Sequence, residues 1–299
     1  NGVVYYFLDN EYYFKRPGLY GYYDDGERFA FFSKAILEML HYIDYAPDII
    51  HCNDWQTALV PVYLNLFYRG EKKFRDLKTV LTIHNIQYQG KYGMEMVQDV
   101  LGLPQSATPI VEYDGCVNYM KGGIDQCNMI TTVSQTYAQE ILDPWYSHGL
   151  DRILKARQFK LMGILNGIDV EGYNPQTDSN LAAPFSSDDP SGKAEDKRAL
   201  QEEMGLPKQE DVMLLGIVSR LADHKGLDLV KYIGEEMFQE NLQLVVLGSG
   251  EYMFESFFEE MQRKYPEKVS FTKGFIPPLA RRIYAGADAF LMPSRSEER

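Results

Sequence analysis

The chain has 299 residues, 45% hydrophobic and 24% charged, the make-up of a soluble globular protein of about two domains. Its formal net charge of −13 argues against nucleic acid or an anionic membrane as partner, so an anionic small ligand would need a locally basic pocket. Three cysteines, Cys52, Cys116 and Cys127, lack metal-type spacing and read as reduced thiols of a cytoplasmic protein, and no apolar run reaches the roughly 18 residues of a membrane span.

In chain order, residues 3–8 read as a strand and residues 9–25 as a Tyr- and Gly-rich loop with Pro17-Gly18 as its turn. Residues 27–43 carry apolar side chains at Phe29, Phe32, Ile36, Leu40 and Ile43, the spacing of a helix. A short strand over 48–52 leads to Asp54, expected to cap a helix running to about residue 68. Strands are predicted over 78–83, 129–133 and 161–165, with a short helix inside 90–101 and Ser134 capping another. Residues 174–192, with Pro175, Pro184 and Pro190, read as loop. A helix over 193–204 is stopped by Gly205 and Pro207. Strands at 213–219, 242–247, 269–272 and 289–292 then alternate with helices at 226–236, 251–263 and 278–286.

This alternation predicts an α/β protein with two Rossmann-like parallel-sheet domains, 1–165 and 166–299, facing a cleft. The chain starts in an apparent strand and stops soon after one. It is therefore expected to be a piece of a longer protein, lacking part of each domain.

Candidate chemistry lies at the carboxyl ends of strands, where open α/β sheets bind ligands. The strand 213–219 runs into Arg220, with Lys225 five positions later and Gly226 opening a helix, a site suited to phosphate. Alone, these are also ordinary loop cations. His84 ends its strand; a lone histidine is more often structural. Asp54-Trp55 would lie beside it and combine a carboxylate with an aromatic, as a sugar site does, or else a helix cap with a core tryptophan. Asn166, Gly248-Ser249-Gly250 and Glu297 stand at further strand ends. The glycine pair offers backbone to a phosphate but is not a dinucleotide fingerprint, because position 253 is Met. There is no G-x-S-x-G, no Walker loop and no metal-type cluster.

Seven stretches carry a resemblance: DNEYYFKRPGLYG (9–21), ERFAFFSKAILEML (27–40), HCNDWQTALV (51–60), TIHNIQYQG (82–90), ILNGIDVEGYNP (164–175), VSRLADHKGLDL (218–229) and ARRIYAGADAFLMPSRSE (280–297). Together they resemble bacterial glycogen synthases and plant starch synthases, glycosyltransferase family 5, in the family's order and over nearly the whole chain. The resemblance implies the GT-B arrangement: an acceptor-side catalytic domain followed by a nucleotide-sugar domain. It implies transfer of glucose from ADP-glucose, or UDP-glucose in some members, to the non-reducing end of an α-1,4-glucan, with retention and without cofactor or metal. The compartment would be the cytoplasm, or a plastid in a plant or alga.

Residue by residue, Arg220 and Lys225 match the pair on the diphosphate and His84 the histidine at the donor glucose. Asp54 and Trp55 match the sugar and acceptor pocket, and Asn166 an asparagine at the cleft. Phe275 follows Gly274 where an aromatic stacks on adenine, and Glu297 matches the glutamate opening the donor-sugar segment. The chain departs from the family in three places. It begins after the family's lysine-glycine-glycine loop, carries Ser296 where an aromatic is usual, and has Glu298-Arg299 where Pro-Cys-Gly-Leu is usual. By itself the 299-residue chain is therefore expected to transfer no glucose. Alternatives are another retaining GT-B transferase, such as a sucrose- or trehalose-forming one, and a non-catalytic nucleotide- or glucan-binding remnant. An NAD-dependent dehydrogenase is disfavoured by the incomplete fingerprint.

Overall fold

The computed structural model describes residues 2–295. The chain divides into two compact units, one through Asn166 and one from Gly167 on.

In the first unit, α1 (Glu11–Phe14) and α2 (Asp25–Met39) precede β1 (Ile49–Asn53). A tight turn, Trp55–Thr57, then leads into α3 (Leu59–Tyr63), which widens over Leu64–Tyr68. Next come β2 (Lys78–Ile83), β3 (Lys91–Tyr92), α4 (Met96–Asp99), α5 (Thr108–Val111), β4 (Glu112–Tyr113) and β5 (Cys116–Asn118). The unit ends with α6 (Tyr119–Gln126), β6 (Met129–Thr132), α7 (Gln135–Glu140), α8 (Asp151–Ala156) and β7 (Leu161–Gly163). The main sheet has the order β1-β2-β6-β7, and every pairing is parallel. A small antiparallel sheet, β3-β5-β4, stands apart from it.

The second unit holds α9 (Lys193–Glu203), β8 (Met213–Val218), α10 (Leu227–Met237), β9 (Leu242–Gly248), α11 (Tyr252–Lys264), β10 (Val269–Lys273), α12 (Pro277–Gly286) and β11 (Ala289–Phe290). Its sheet is parallel throughout, in the order β10-β9-β8-β11. Successive residues of β9 point to opposite faces. Leu244 and Val246 enter one apolar cluster with Phe254, Phe258 and Val230, while Val245 and Leu247 enter another with Leu200, Leu279 and Ile283. Both faces are therefore covered, which is why residues 244–247 read as an unbroken apolar run.

Three expectations are corrected. Residues 3–8 form no strand, and Val3, Val4, Tyr5 and Phe7 are exposed. A β-prone run becomes a strand only beside a ladder partner, and no described strand pairs with it. Residues 9–25 are not all loop: Asn10 caps α1, its side chain accepting from the Tyr13 amide at 3.0 Å. Asp54 is no helix cap; its carboxylate turns elsewhere.

The sequence reading also passed over the small sheet and α6. Tyr119-Met-Lys-Gly-Gly-Ile carries two glycines, which normally weaken a helix. Here they serve close packing: a Cβ on Gly123 would lie 2.8 Å from both the Cβ and the carbonyl oxygen of Ala58. Ser134 does cap α7, accepting from the Tyr137 amide at 2.9 Å. The cysteines are free, and burial pushes the Cys52 thiol up to about 12 and Cys127 up to about 11.

Candidate active site

In the first unit, chemistry gathers where β1 and β2 end side by side. Parallel register sets Asn53 against Thr82, so Asp54, the next residue, comes close to His84, two residues past Thr82. The Asp54 amide donates to the Thr82 carbonyl at 2.9 Å, extending the ladder by one step. The backbone of Asp54 then turns sharply, with φ 57° and ψ −172°. Such a conformation in a non-glycine residue costs on the order of 1–3 kcal/mol and persists only where its surroundings enforce it.

What enforces it is the carboxylate. Asp54 Oδ1 accepts from the His84 amide at 2.8 Å and the Asn85 amide at 3.4 Å. The His84 ring meets Asn53 Oδ1 through Nε2 at 2.9 Å. His84 is exposed, but its ring is held by Asn53 at the end of β1 and its backbone by Asp54 just beyond it. Burial raises the Asp54 pKa, while the His84 and Asn85 amides and the nearby imidazole pull it back. Asp54 is thus a brace for His84, a role no reading of its own neighbours could supply.

Trp55 requires a correction. It is only 8% exposed, meets Phe29 edge-on at 5.0 Å, and has Tyr92 and Tyr119 rings at 6.2 and 6.1 Å. A sugar platform needs an open ring face, and the indole is packed into the core beside Gly90. Asn166 lies exposed in the coil past β7.

In the second unit, the segment after β8 carries Arg220 and Lys225 and is stitched to the end of β9. The Ser219 amide donates to Leu247 at 3.2 Å, Leu221 to Ser249 at 3.0 Å, and Glu251 back to Leu221 at 2.7 Å. Asp223–Lys225 forms one tight turn, closed by Gly226 at φ 67°. Arg220 is exposed, with Nη2 3.5 Å from His224 Nε2.

Gly248 and Gly250 matter for a different reason than expected. The Gly250 amide donates to Glu255 Oε1 at 2.9 Å, so it is already taken within the protein. A Cβ on Gly248 would lie 2.1 Å from the Ser219 carbonyl oxygen, and one on Gly250 2.3 Å from that of Leu221. The glycines let the cationic loop lie against the β9 turn. Phe275 is 87% exposed after Gly274, whose φ of 134° suits glycine, so its ring is open to a stacking partner. Glu297 lies outside the described residues. Among the described residues no group of three or more His, Cys, Asp or Glu is placed to hold a metal ion, and no helix is long and apolar enough to cross a membrane.

The sequence reading missed Asn53 and His224. Both could have been flagged by position, the first at a strand end beside Asp54, the second between the two cations. Burial, with Lys225 and Arg220 adding, holds the His224 imidazole below its ordinary value, against the pull of Glu251 and Asp223. His148 is lowered likewise, by burial and Lys91. The folded chain therefore binds fewer protons at these rings than the unfolded chain, and the stability they contribute is lost as pH falls below about 6.5. His41, raised by Glu71, runs the other way. Urea unfolding between about pH 7.5 and 5.5 isolates one ring: His224→Gln should show a shallower loss of stability on acidification than the parent. An equal slope would mean that His224 takes up protons equally in the folded and unfolded states.

A family model described as the starch synthase catalytic domain matches residues 1–156. A glycogen synthase of Geobacillus thermodenitrificans is 51% identical over 299 residues, 99% of this chain and 62% of that protein. A glycogen synthase of Clostridium acetobutylicum is 46% identical over 301 residues, 99% of this chain and 63% of that one. Among solved structures, the catalytic domain of starch synthase IV from Arabidopsis thaliana, bound to ADP and acarbose, matches with a TM-score of 0.86 at 34% identity, over 96% of this chain and 60% of that chain. Anabaena HepE in complex with UDP matches with a TM-score of 0.50 at 13% identity, over 88% and 57% of the two chains, a likeness of fold alone. The chain spans about 62% of the length of the first of these relatives.

Proposed function

The chain belongs to the glycogen and starch synthase family, glycosyltransferase family 5, with the Rossmann-like parallel sheets of the GT-B fold. From that premise we propose that the protein of which it is part moves glucose from ADP-glucose to the non-reducing end of an α-1,4-glucan, with retention at the anomeric carbon. The observation that carries this is the Arg220–Lys225 segment at the end of β8, seated against β9 by close packing at two glycines. A pair of cations on a held loop at a strand end suits a diphosphate. The solved starch synthase that the chain resembles binds ADP and acarbose, a nucleotide and a sugar, which supports the same pair of ligands here.

Breaking the bond between glucose and phosphate leaves negative charge on the diphosphate oxygens and positive character on the sugar ring. Arg220 binds oxygens through its planar fork and Lys225 adds a point charge where the negative charge grows. Preorganised charge at that place is the largest kind of catalytic contribution. His84, braced by Asp54 and Asn53, orients the glucose and steadies the positive ring. Phe275 stacks on the adenine. The acceptor hydroxyl attacks from the face the phosphate leaves, and the leaving phosphate takes its proton.

The test is transfer of radiolabel from ADP-glucose and UDP-glucose to glycogen by the full-length protein. Incorporation into a product digestible by an α-1,4-specific glucanase supports the reading; no incorporation from either donor overturns it. Because the two cations act where a divalent ion serves other glycosyltransferases, activity should survive excess chelator unchanged. Loss under chelator with recovery on adding magnesium or manganese would contradict the assignment of that role to Arg220 and Lys225.

A further inference from the structure

The Arg220–Lys225 loop is held at two levels. Its first half, through Leu221, continues the β8–β9 ladder by backbone bonds alone. Its second half, the Asp223–Lys225 turn that carries Lys225, has left the ladder. There the amide of Asp223, first residue of the turn, donates to Glu251 Oε1 at 3.0 Å. Glu251 is the residue after Gly250, and its own amide already holds Leu221 at 2.7 Å. One residue of the β9 turn thus grips the cationic loop twice, by its amide ahead of the turn and by its carboxylate at the turn's first residue. A turn this short has no internal partner for its first amide, so the acceptor must come from outside. A carboxylate on a backbone amide is a charge-assisted bond, stronger than a neutral one. Arg295 adds a looser hold, with its amide on the His224 carbonyl at 3.2 Å and its guanidinium 3.7 Å from Asp223.

We propose that Glu251 is a positioning residue for the nucleoside diphosphate: by fixing the Asp223 amide it sets where the Lys225 ammonium stands relative to the Arg220 guanidinium. Glu251 does not itself touch the ligand, since its charge has the wrong sign for a phosphate. The proposal rests on the donor-site reading above, and its test separates the two.

ADP is titrated calorimetrically into the full-length protein and its variants, with the unfolding midpoint measured for each. Glu251→Ala should weaken ADP binding by about 10-fold, and Glu251→Gln, whose amide oxygen still accepts, by no more than about threefold. Asp223→Pro removes the donor instead and is compatible with the first position of a turn. It should weaken ADP at least as much, since the Asp223 carboxylate beside Arg295 goes as well, and the double variant Asp223→Pro/Glu251→Ala should lose nothing beyond Asp223→Pro alone, because the two changes share the one bond between Asp223 and Glu251. This second route keeps the proposal open to refutation even if Glu251→Ala unfolds. ADP binding unchanged in Glu251→Ala, while Lys225→Ala binds weakly, overturns the proposal alone. Full additivity of the double variant, or a glutamine variant as weak as alanine, also overturns it. ADP binding unaffected by Lys225→Ala overturns the donor-site reading and the proposal with it.

Discussion

Replacing Lys225 by alanine in the full-length protein should lower kcat/KM for ADP-glucose by about 30- to 1000-fold, equivalent to roughly 2–4 kcal/mol of lost transition-state binding. The loss should fall more on kcat than on KM, because charge on the diphosphate grows as the glycosidic bond breaks. The salt dependence of donor binding should flatten as well, since one screened contact is gone. Stability should change little, as Lys225 lies in a loop whose apolar neighbours are Leu221 and Leu227, not itself. Equal catalytic efficiency in parent and variant would remove Lys225 from the donor site.

The second large effect is expected at Asp54. Asp54→Ala takes the acceptor from the His84 and Asn85 amides at the end of β2. It also removes the bond that holds Asp54 in its strained conformation. His84 keeps its ring contact to Asn53 but loses its backbone anchor. Displacement of a reacting group by ~1 Å costs about 10²-fold in rate, so kcat should fall by about that factor. Losing a half-exposed pair of acceptor bonds should lower stability by about 1 kcal/mol, far too little to unfold the protein. Asp54→Asn retains the oxygen acceptor, and its kcat should fall by less than about tenfold. An alanine variant as fast as the parent, or an asparagine variant as slow as alanine, would refute the brace. The latter result would show that the charge of Asp54 acts on the substrate directly.

Much of this could be read from residue order. The strands after residue 128 and the helices of the second unit fall within two residues of their expected ends, with β7 and β11 each clipped by two. The strand-end positions of Arg220, Lys225 and His84 were legible because a strand end shows as the close of an apolar run, and it is at such ends that open parallel sheets bind ligands. The family is carried by strings such as NDWQT and IHNIQYQG, whose order alone is specific.

The meaning of several residues was not legible. Trp55 and Asp54 are adjacent in sequence, yet one is sealed under Phe29 and Tyr119 and the other reaches across to β2. Gly248 and Gly250 look like a phosphate turn, yet their missing side chains make room for the Ser219 and Leu221 carbonyls. Residues 3–8 have the composition of a strand and pair with none in the described structure. For Asp54, Trp55 and the two glycines the deciding partner lies far away in the chain, at a separation of 26 residues or more. Local order determines periodicity, breakers and the ends of elements, because these depend on neighbours within a turn or two. Burial, hydrogen-bond partners and steric clearance depend on which segments the sheet register brings together. Those were decided only by the tertiary structure.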